Sequence, residues 1–182
     1  MRNSLHWAKL LNLIRQRSFT HGDVLLSSGA HSNYYVDGKM VTLSPEGAWL
    51  TAQLILELLQ KEDLHPDAIG GLAIGADPIA AFIVRRERKG HGKQKWIEGP
   101  LASGSDVVVV DDVVTRGASV RRAIKAAENL GCRVIKVIAL VDRLEGAAET
   151  LKAYDFTPIF TREDLMKTDE RTREEATTGT LC

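Results

Sequence analysis

The sequence predicts an α/β protein built on a parallel sheet with helices on both faces, and three observations predict it. Val107-Val108-Val109-Val110 is an unbroken β-branched run, the composition of a strand buried on both faces of a sheet. A helical stripe follows, then a second apolar run, and the alternation repeats once more before the chain turns polar. Strand, helix, strand in that order is the pattern of right-handed parallel crossovers. Finally, 182 residues are enough for one such domain with a sizeable core and too few for two.

Each element has its own local reason. Residues 4–17 place Leu5, Leu10, Leu11 and Ile14 near one helical stripe. Val24 to Val41 mixes β-formers with Gly29, Asn33 and Gly38 and reads as strands and turns. Ser44-Pro45-Glu46 supplies an N-cap, a first-turn proline and an early acid. The helix they open, to about Gln60, carries Leu50, Leu54, Ile55 and Leu58 on one side. Ala68 to Ile74 is a short apolar strand ending at Gly75, and Phe82-Ile83-Val84 is another. After the valine run come a helix from Ser119 to Leu130 closed by Gly131, a strand from Val134 to Val141, a helix over 146–153 and a strand from Thr157 to Phe160. Residues 1–166 are thus expected to form a single domain, and the polar segment 167–182 a mobile tail.

Composition excludes more than it identifies. Lys plus Arg (24) equals Asp plus Glu (24), so no net basic field favours nucleic acid, and any attraction for an anion must be local. No apolar run reaches membrane-spanning length, and the N-terminus carries no secretory h-region. Cys132 and Cys182 lie far apart with no metal-ligand spacing, so a cytoplasmic setting is expected and no metal ligand is assigned.

The chemistry concentrates in one run. Asp111 and Asp112 follow the four valines, at the end of the strand where open α/β sheets bind ligands. Val113, Val114, Thr115, Arg116, Gly117, Ala118 and Ser119 lead from them into a helix. Backbone amides, two hydroxyls and the positive end of the helix dipole make a phosphate seat there. Carboxylates on one side suit vicinal sugar hydroxyls, so the pair of features describes a ribose 5-phosphate. A strand-end acid is often only a turn cap, but two acids leading into Thr-x-Gly-x-Ser make that explanation the weaker one.

This run resembles the phosphoribosyl-pyrophosphate signature of type I phosphoribosyltransferases. Four further motifs resemble the orotate phosphoribosyltransferases, in that family's order. They are Ser28-Gly29 with Ser32 to Asp37, Gly75 to Ala80, the cationic glycine-broken loop Arg85 to Lys95 continuing to Gly99, and Val141 to Gly146. The resemblance implies a type I phosphoribosyltransferase fold with a small N-terminal hood formed by about residues 1–41. It implies transfer of the phosphoribosyl group from phosphoribosyl pyrophosphate (PRPP) to orotate, giving orotidine 5′-monophosphate and pyrophosphate in pyrimidine biosynthesis. By the same resemblance Arg85, Arg86, Lys89 and His91 contact the pyrophosphate, with Lys89 and His91 acting catalytically beside Asp111 and Asp112. Residues 111–119 hold the ribose phosphate, and Thr115 and Arg143 recognise orotate. Magnesium carried on the donor's pyrophosphate is the implied cofactor, and a homodimer with a shared lid the implied assembly. Tyr34 and Tyr35, as strand aromatics, are left to the core.

The largest departure from the resembling family is a short link. Only residues 75–81 separate Ile74 from Phe82, where a parallel crossover ordinarily takes a dozen or more residues and a helix. The expectation is therefore that Phe82-Ile83-Val84 does not lie as the parallel neighbour of Ala68–Ile74, and that the loop at Gly75 is displaced. A catalytically weak protein of the same fold, binding nucleotide for regulation, is the alternative function this shortness raises. A purine-type enzyme is a third reading, and it would lack the Lys-Gly-His-Gly and Asp-Arg-x-Glu-Gly runs found here.

Overall fold

The computed structural model describes residues 2, 4–25, 31–85 and 96–167. Helix α1 (Leu5–Arg17) starts at Ser4, whose hydroxyl accepts from the Trp7 amide at 3.2 Å, and buries Leu10, Leu11, Leu13 and Ile14. Strands β1 (Phe19–Leu25) and β2 (His31–Val36) pair antiparallel as a separate two-stranded ribbon. Period-two alternation turns Tyr34 and Val36 inward on β2 and leaves Tyr35 exposed. A one-turn helix, α2 (Lys39–Thr42), leads to α3 (Pro45–Lys61), capped by the Ser44 hydroxyl accepting from the Gly47 amide at 3.2 Å.

The main sheet follows. Strands β3 (Ala68–Leu72), β4 (Phe82–Val84), β5 (Ile97–Glu98) and β6 (Asp106–Val114) precede α4 (Ala118–Asn129). Strand β7 (Arg133–Asp142), helix α5 (Ala147–Thr150), β8 (Phe156–Thr161) and α6 (Arg162–Met166) complete the described chain. The six strands run in the order β5-β4-β3-β6-β7-β8, and only the β4–β5 pair is antiparallel.

The valine run explains the layering. Val108 and Val110 face a core they share with α1 and α3, through Leu10, Ile14, Leu54 and Ile55. Val107 and Val109 face the opposite core, formed with Val120, Ala123, Ile124 and Ala127 of α4. Successive side chains of one strand thus fill two cores, so every position is apolar. Each fully buried valine contributes about 1.5–3 kcal/mol relative to an exposed one.

The structure corrects the sequence on the short crossover. β4 does pair parallel with β3, with Gly70 opposite Phe82, Gly71 opposite Ile83 and Leu72 opposite Val84. No α-helix intervenes; a 3₁₀ turn at Asp77–Ile79 suffices, and the Ala81 amide donates to the Ile69 carbonyl at 2.7 Å. A crossover that returns along a full strand would need more residues than this link has. The two strands share only three register positions, so the chain need climb back just two residues, about 7 Å of strand rise. Gly70 permits the close approach: a Cβ there would fall 2.2 Å from the Phe82 carbonyl oxygen.

Smaller departures have local causes. The strand bearing the acids continues through Val114, so Asp111 and Asp112 lie within it. The helix expected over 146–153 shrinks to Ala147–Thr150. Helix α6, unanticipated, rests on a capping box in which Thr161 and Asp164 bond each other's backbone amides. Arg86, Lys89, His91 and the tail beyond Lys167 lie outside the described residues.

Candidate active site

Four segments converge at the carboxyl ends of β6 and β7. The first is the acidic pair itself. Asp111 and Asp112 are both buried, though they are adjacent and bear like charge. The hydroxyl of Ser119, the second residue of α4, donates to Asp111 Oδ2 at 2.7 Å, and the Asp112 amide donates to Asp111 Oδ1 at 3.1 Å. Burial pushes the Asp111 carboxyl up to about 7; the Ser119 bond pulls it back, and the neighbouring Asp112 charge raises it further.

The second segment is the loop after β3. Gly75 lies directly against both acids: a Cβ there would fall 2.3 Å from Asp111 Oδ1 and 2.4 Å from Asp112 Oδ1. Only glycine fits that approach. The crossover is short, yet its loop reaches the acids. The third segment precedes α2, where Gly38 packs on the Asp112 side chain and Lys39 Nζ stands 4.0 Å from Asp112 Oδ2. Lys39 also pairs with Asp37 at 2.6 Å, the contact that contributes most to raising its pKa.

The residues expected to seat a phosphate form the path from β6 to α4. Val113 is half-buried and Val114 buried, Thr115 is half-buried, and Arg116 and Ala118 are exposed. Gly117 takes a left-handed conformation (φ 78°) as N-cap and offers no side-chain acceptor to the first-turn amides of α4. A twelve-residue helix therefore presents its positive end to the loop.

The fourth segment follows β7. The Arg143 amide donates to the Val114 carbonyl at 3.0 Å, which ties this loop to the end of the acidic strand. Arg143 is buried. Its Nε donates to the Tyr34 hydroxyl at 3.2 Å, its Nη2 pairs with Glu145 Oε1 at 2.8 Å, and its guanidinium lies 4.7 Å from the Tyr34 ring centroid. The Tyr34 hydroxyl in turn donates to Glu145 Oε1 at 3.3 Å. Tyr34, left to the core by the sequence, is buried there, and its hydroxyl also meets Arg143. Burial lifts the Asp142 carboxyl above its ordinary range, the Leu144 amide offsets part of that, and the Glu145 charge adds to it.

Arg85 is not brought to the acids. It lies beyond β3, its Nη1 3.0 Å from Glu98 Oε1, in a cleft of about 200 Å³ shared with Trp96, Arg122 and Lys125. Lys39 was missed because a lone lysine after Asp37-Gly38 carries no spacing signal; Gly38, which lets α2 close on Asp112, was the available clue. Among the described residues no cluster of three or more His, Cys, Asp or Glu could hold a metal, and no helix is long and apolar enough to cross a membrane.

Comparison with known proteins agrees with this geometry. The family profile described as "Phosphoribosyl transferase domain" matches residues 41–167. An orotate phosphoribosyltransferase of Nostoc sp. is 41% identical over 177 aligned residues, covering 87% of this chain and 84% of that protein. One from Aquifex aeolicus is 44% identical over 162, covering 79% and 87%. The orotate phosphoribosyltransferase of Mycobacterium tuberculosis, solved in complex with 5-phospho-α-D-ribosyl 1-diphosphate, superposes with a TM-score of 0.75 at 33% identity, over 88% of this chain and 98% of that one. The Nostoc alignment counts more positions than the residues of this chain it covers, so that relative carries residues within the match that this chain lacks.

Proposed function

The chain belongs to the phosphoribosyltransferase family, among the orotate phosphoribosyltransferases, and from that premise we propose how its residues divide the work. The reaction moves the phosphoribosyl group of PRPP to orotate, releasing pyrophosphate and forming orotidine 5′-monophosphate for pyrimidine biosynthesis. The observation that carries the assignment of the site is the buried Asp111–Asp112 pair at the head of the Thr115–Ser119 loop. The carboxylates accept hydrogen bonds from the ribose hydroxyls, while the first-turn amides of α4 with Thr115 and Ser119 take the 5′-phosphate. With no side chain at Gly75, the loop after β3 lies against the acids without adding bulk beside them.

As the C1–O bond to pyrophosphate breaks, its electron pair leaves with the pyrophosphate and positive charge grows on the ribose ring. The orotate ring nitrogen then supplies the pair that makes the new bond to C1. Carboxylates beside the ring stabilise that charge, and fixed geometry supplies much of the rest. Arg143 holds the orotate carboxylate, and Thr115 a ring oxygen. Lys89 and His91, with Arg86, are assigned to the leaving group on the resemblance alone; Arg85 would have to exchange its Glu98 partner to join them.

Two adjacent carboxylates, one already accepting from Ser119, are too sparse a donor set to hold magnesium unaided. They fit an ion that arrives on the donor's pyrophosphate and keeps most of its water, where it would neutralise the leaving group. We assign no side chain as a direct ligand. A single domain over 1–166 with a hood over about 1–41, a homodimer with shared lids and a cytoplasmic setting complete the proposal, the last supported by the free thiol of Cys132. The test is incubation with PRPP, magnesium and orotate, uracil or hypoxanthine. Turnover should be confined to orotate, or favour it by orders of magnitude. Binding of PRPP without turnover of any base would favour the regulatory alternative, and turnover of hypoxanthine the purine reading.

A further inference from the structure

The contacts around Arg143 leave one edge of its guanidinium committed and the other open. An arginine carries five N–H donors in a planar fork. Nε is spent on the Tyr34 hydroxyl, and Nη2 forms an ion pair with Glu145. Among the described residues Nη1 has no hydrogen-bond partner, which leaves the end-on edge, Nη1 with the second proton of Nη2, for a bidentate acceptor. The planar fork matches a carboxylate in just that manner. The Tyr34 hydroxyl is fully used as well, accepting from Arg143 and donating to Glu145, and its ring lies under the same guanidinium at 4.7 Å.

The backbone is shaped to hold this arrangement. Leu144 sits in the left-handed region (φ 58°), a conformation that costs a non-glycine residue about 1 kcal/mol. Asp142 Oδ1 secures the turn by accepting from the Leu144 amide at 2.8 Å. Through that turn Arg143 points inward and Glu145 returns to meet it. Tyr34 comes from the ribbon outside the main sheet, so the clamp assembles only when the ribbon is docked on the end of β7.

From these contacts we infer that Tyr34 is a positioning residue whose hydroxyl, with Glu145, locks Arg143 end-on toward the base and so sets the preference for a carboxylate-bearing pyrimidine. This rests on the reading of Arg143 as the partner of the orotate carboxylate. Without the hydroxyl the guanidinium keeps its charge and the ring beneath it but loses its fixed rotation about the side-chain axis. The penalty falls on orotate and not on a pyrimidine lacking the carboxylate.

The experiment compares Tyr34→Phe, Arg143→Met and the parent enzyme with orotate and uracil as bases. Tyr34→Phe should raise the KM for orotate about tenfold, the loss of one hydrogen bond to a charged group. Its kcat and its KM for PRPP should change far less, and the orotate-to-uracil ratio of kcat/KM should fall by the same factor as orotate binding. Arg143→Met should lose more of that ratio, and Tyr34→Phe in its background should add nothing. An unchanged ratio in Tyr34→Phe, alongside a collapsed ratio in Arg143→Met, would overturn the positioning role while leaving the site reading intact. So would a lowered melting temperature in Tyr34→Phe with no change in the ratio, since that is the signature of a purely structural tie. An Arg143→Met enzyme with full orotate preference would instead remove the premise.

Discussion

The two ends of the central sheet both bury charge, and they do so in opposite ways. Toward its amino end Lys136 of β7 is 1% exposed, yet it meets Glu62 at 2.6 Å and Asp155 at 2.8 Å. Those pairs outweigh its burial and raise its pKa, so the ammonium stays charged. At the carboxyl end Asp111 is buried against a second carboxylate and rises to about 7. At the amino end a buried cation has two partly exposed acids in direct contact, a clamp between α3, β7 and the start of β8. At the carboxyl end two buried acids lie against each other, and Lys39 stands 4.0 Å from Asp112 with Asp37 as its closer partner. Burial alone therefore does not mark a candidate site; burial of like charges side by side does.

The largest expected effect comes from unbalancing the clamp. Removing both acids in Glu62→Ala plus Asp155→Ala strands a buried lysine and should cost about 3–5 kcal/mol in urea unfolding. Lys136→Met should cost much less, because the two acids it leaves are partly exposed and can hydrate. Equal losses for the two variants would break the comparison at this end.

The opposite end should respond in activity and not in stability. Asp111→Asn plus Asp112→Asn should lower kcat/KM for PRPP by about 100-fold or more, worth about 3 kcal/mol, with no loss in unfolding free energy. Full activity would remove the sugar-binding assignment. A collapsed fold would show that the acids are structural after all.

A smaller effect sharpens the contrast through pH. Between the ordinary carboxyl value, 3.8, and about 7, folded Asp111 keeps a proton that the unfolded chain has lost. Unfolding then releases that proton, so stability present at low pH drains away as the pH rises through this window. From pH 5 to 8 the parent should lose about 2 kcal/mol on this account, and Asp111→Asn should lose that much less. Parallel stability profiles for the two proteins would mean that Asp111 is ionised throughout.

How much of this could be read along the chain depended on the range of the interaction involved. Ser44-Pro45, the stripe of α3 and the valine run are local patterns with local causes, and the structure places each as expected; the α1 stripe holds for Leu10, Leu11 and Ile14, while Leu5 in its first turn stays exposed. The acidic pair and its loop belong to the same class, since carboxylates, hydroxyls and helix start occupy one continuous segment. Arg143 was legible as a candidate ligand-binding residue only through resemblance, and its partner Tyr34 lies 109 positions away with no signal linking the two.

The sequence by itself determined the fold class, the two-sided sheet and the segment proposed to carry the chemistry, because side-chain periodicity and cap residues act within a few positions. Tertiary structure decided the rest. It set β4 beside β3 across a nine-residue link, since only a three-position register had to be matched. It brought Gly75 and Lys39 to the acids, kept Arg85 with Glu98 beyond β3, and folded Tyr34 under Arg143. Each of these turns on where two distant segments meet, and on the dielectric they create there, which no stretch of sequence specifies alone.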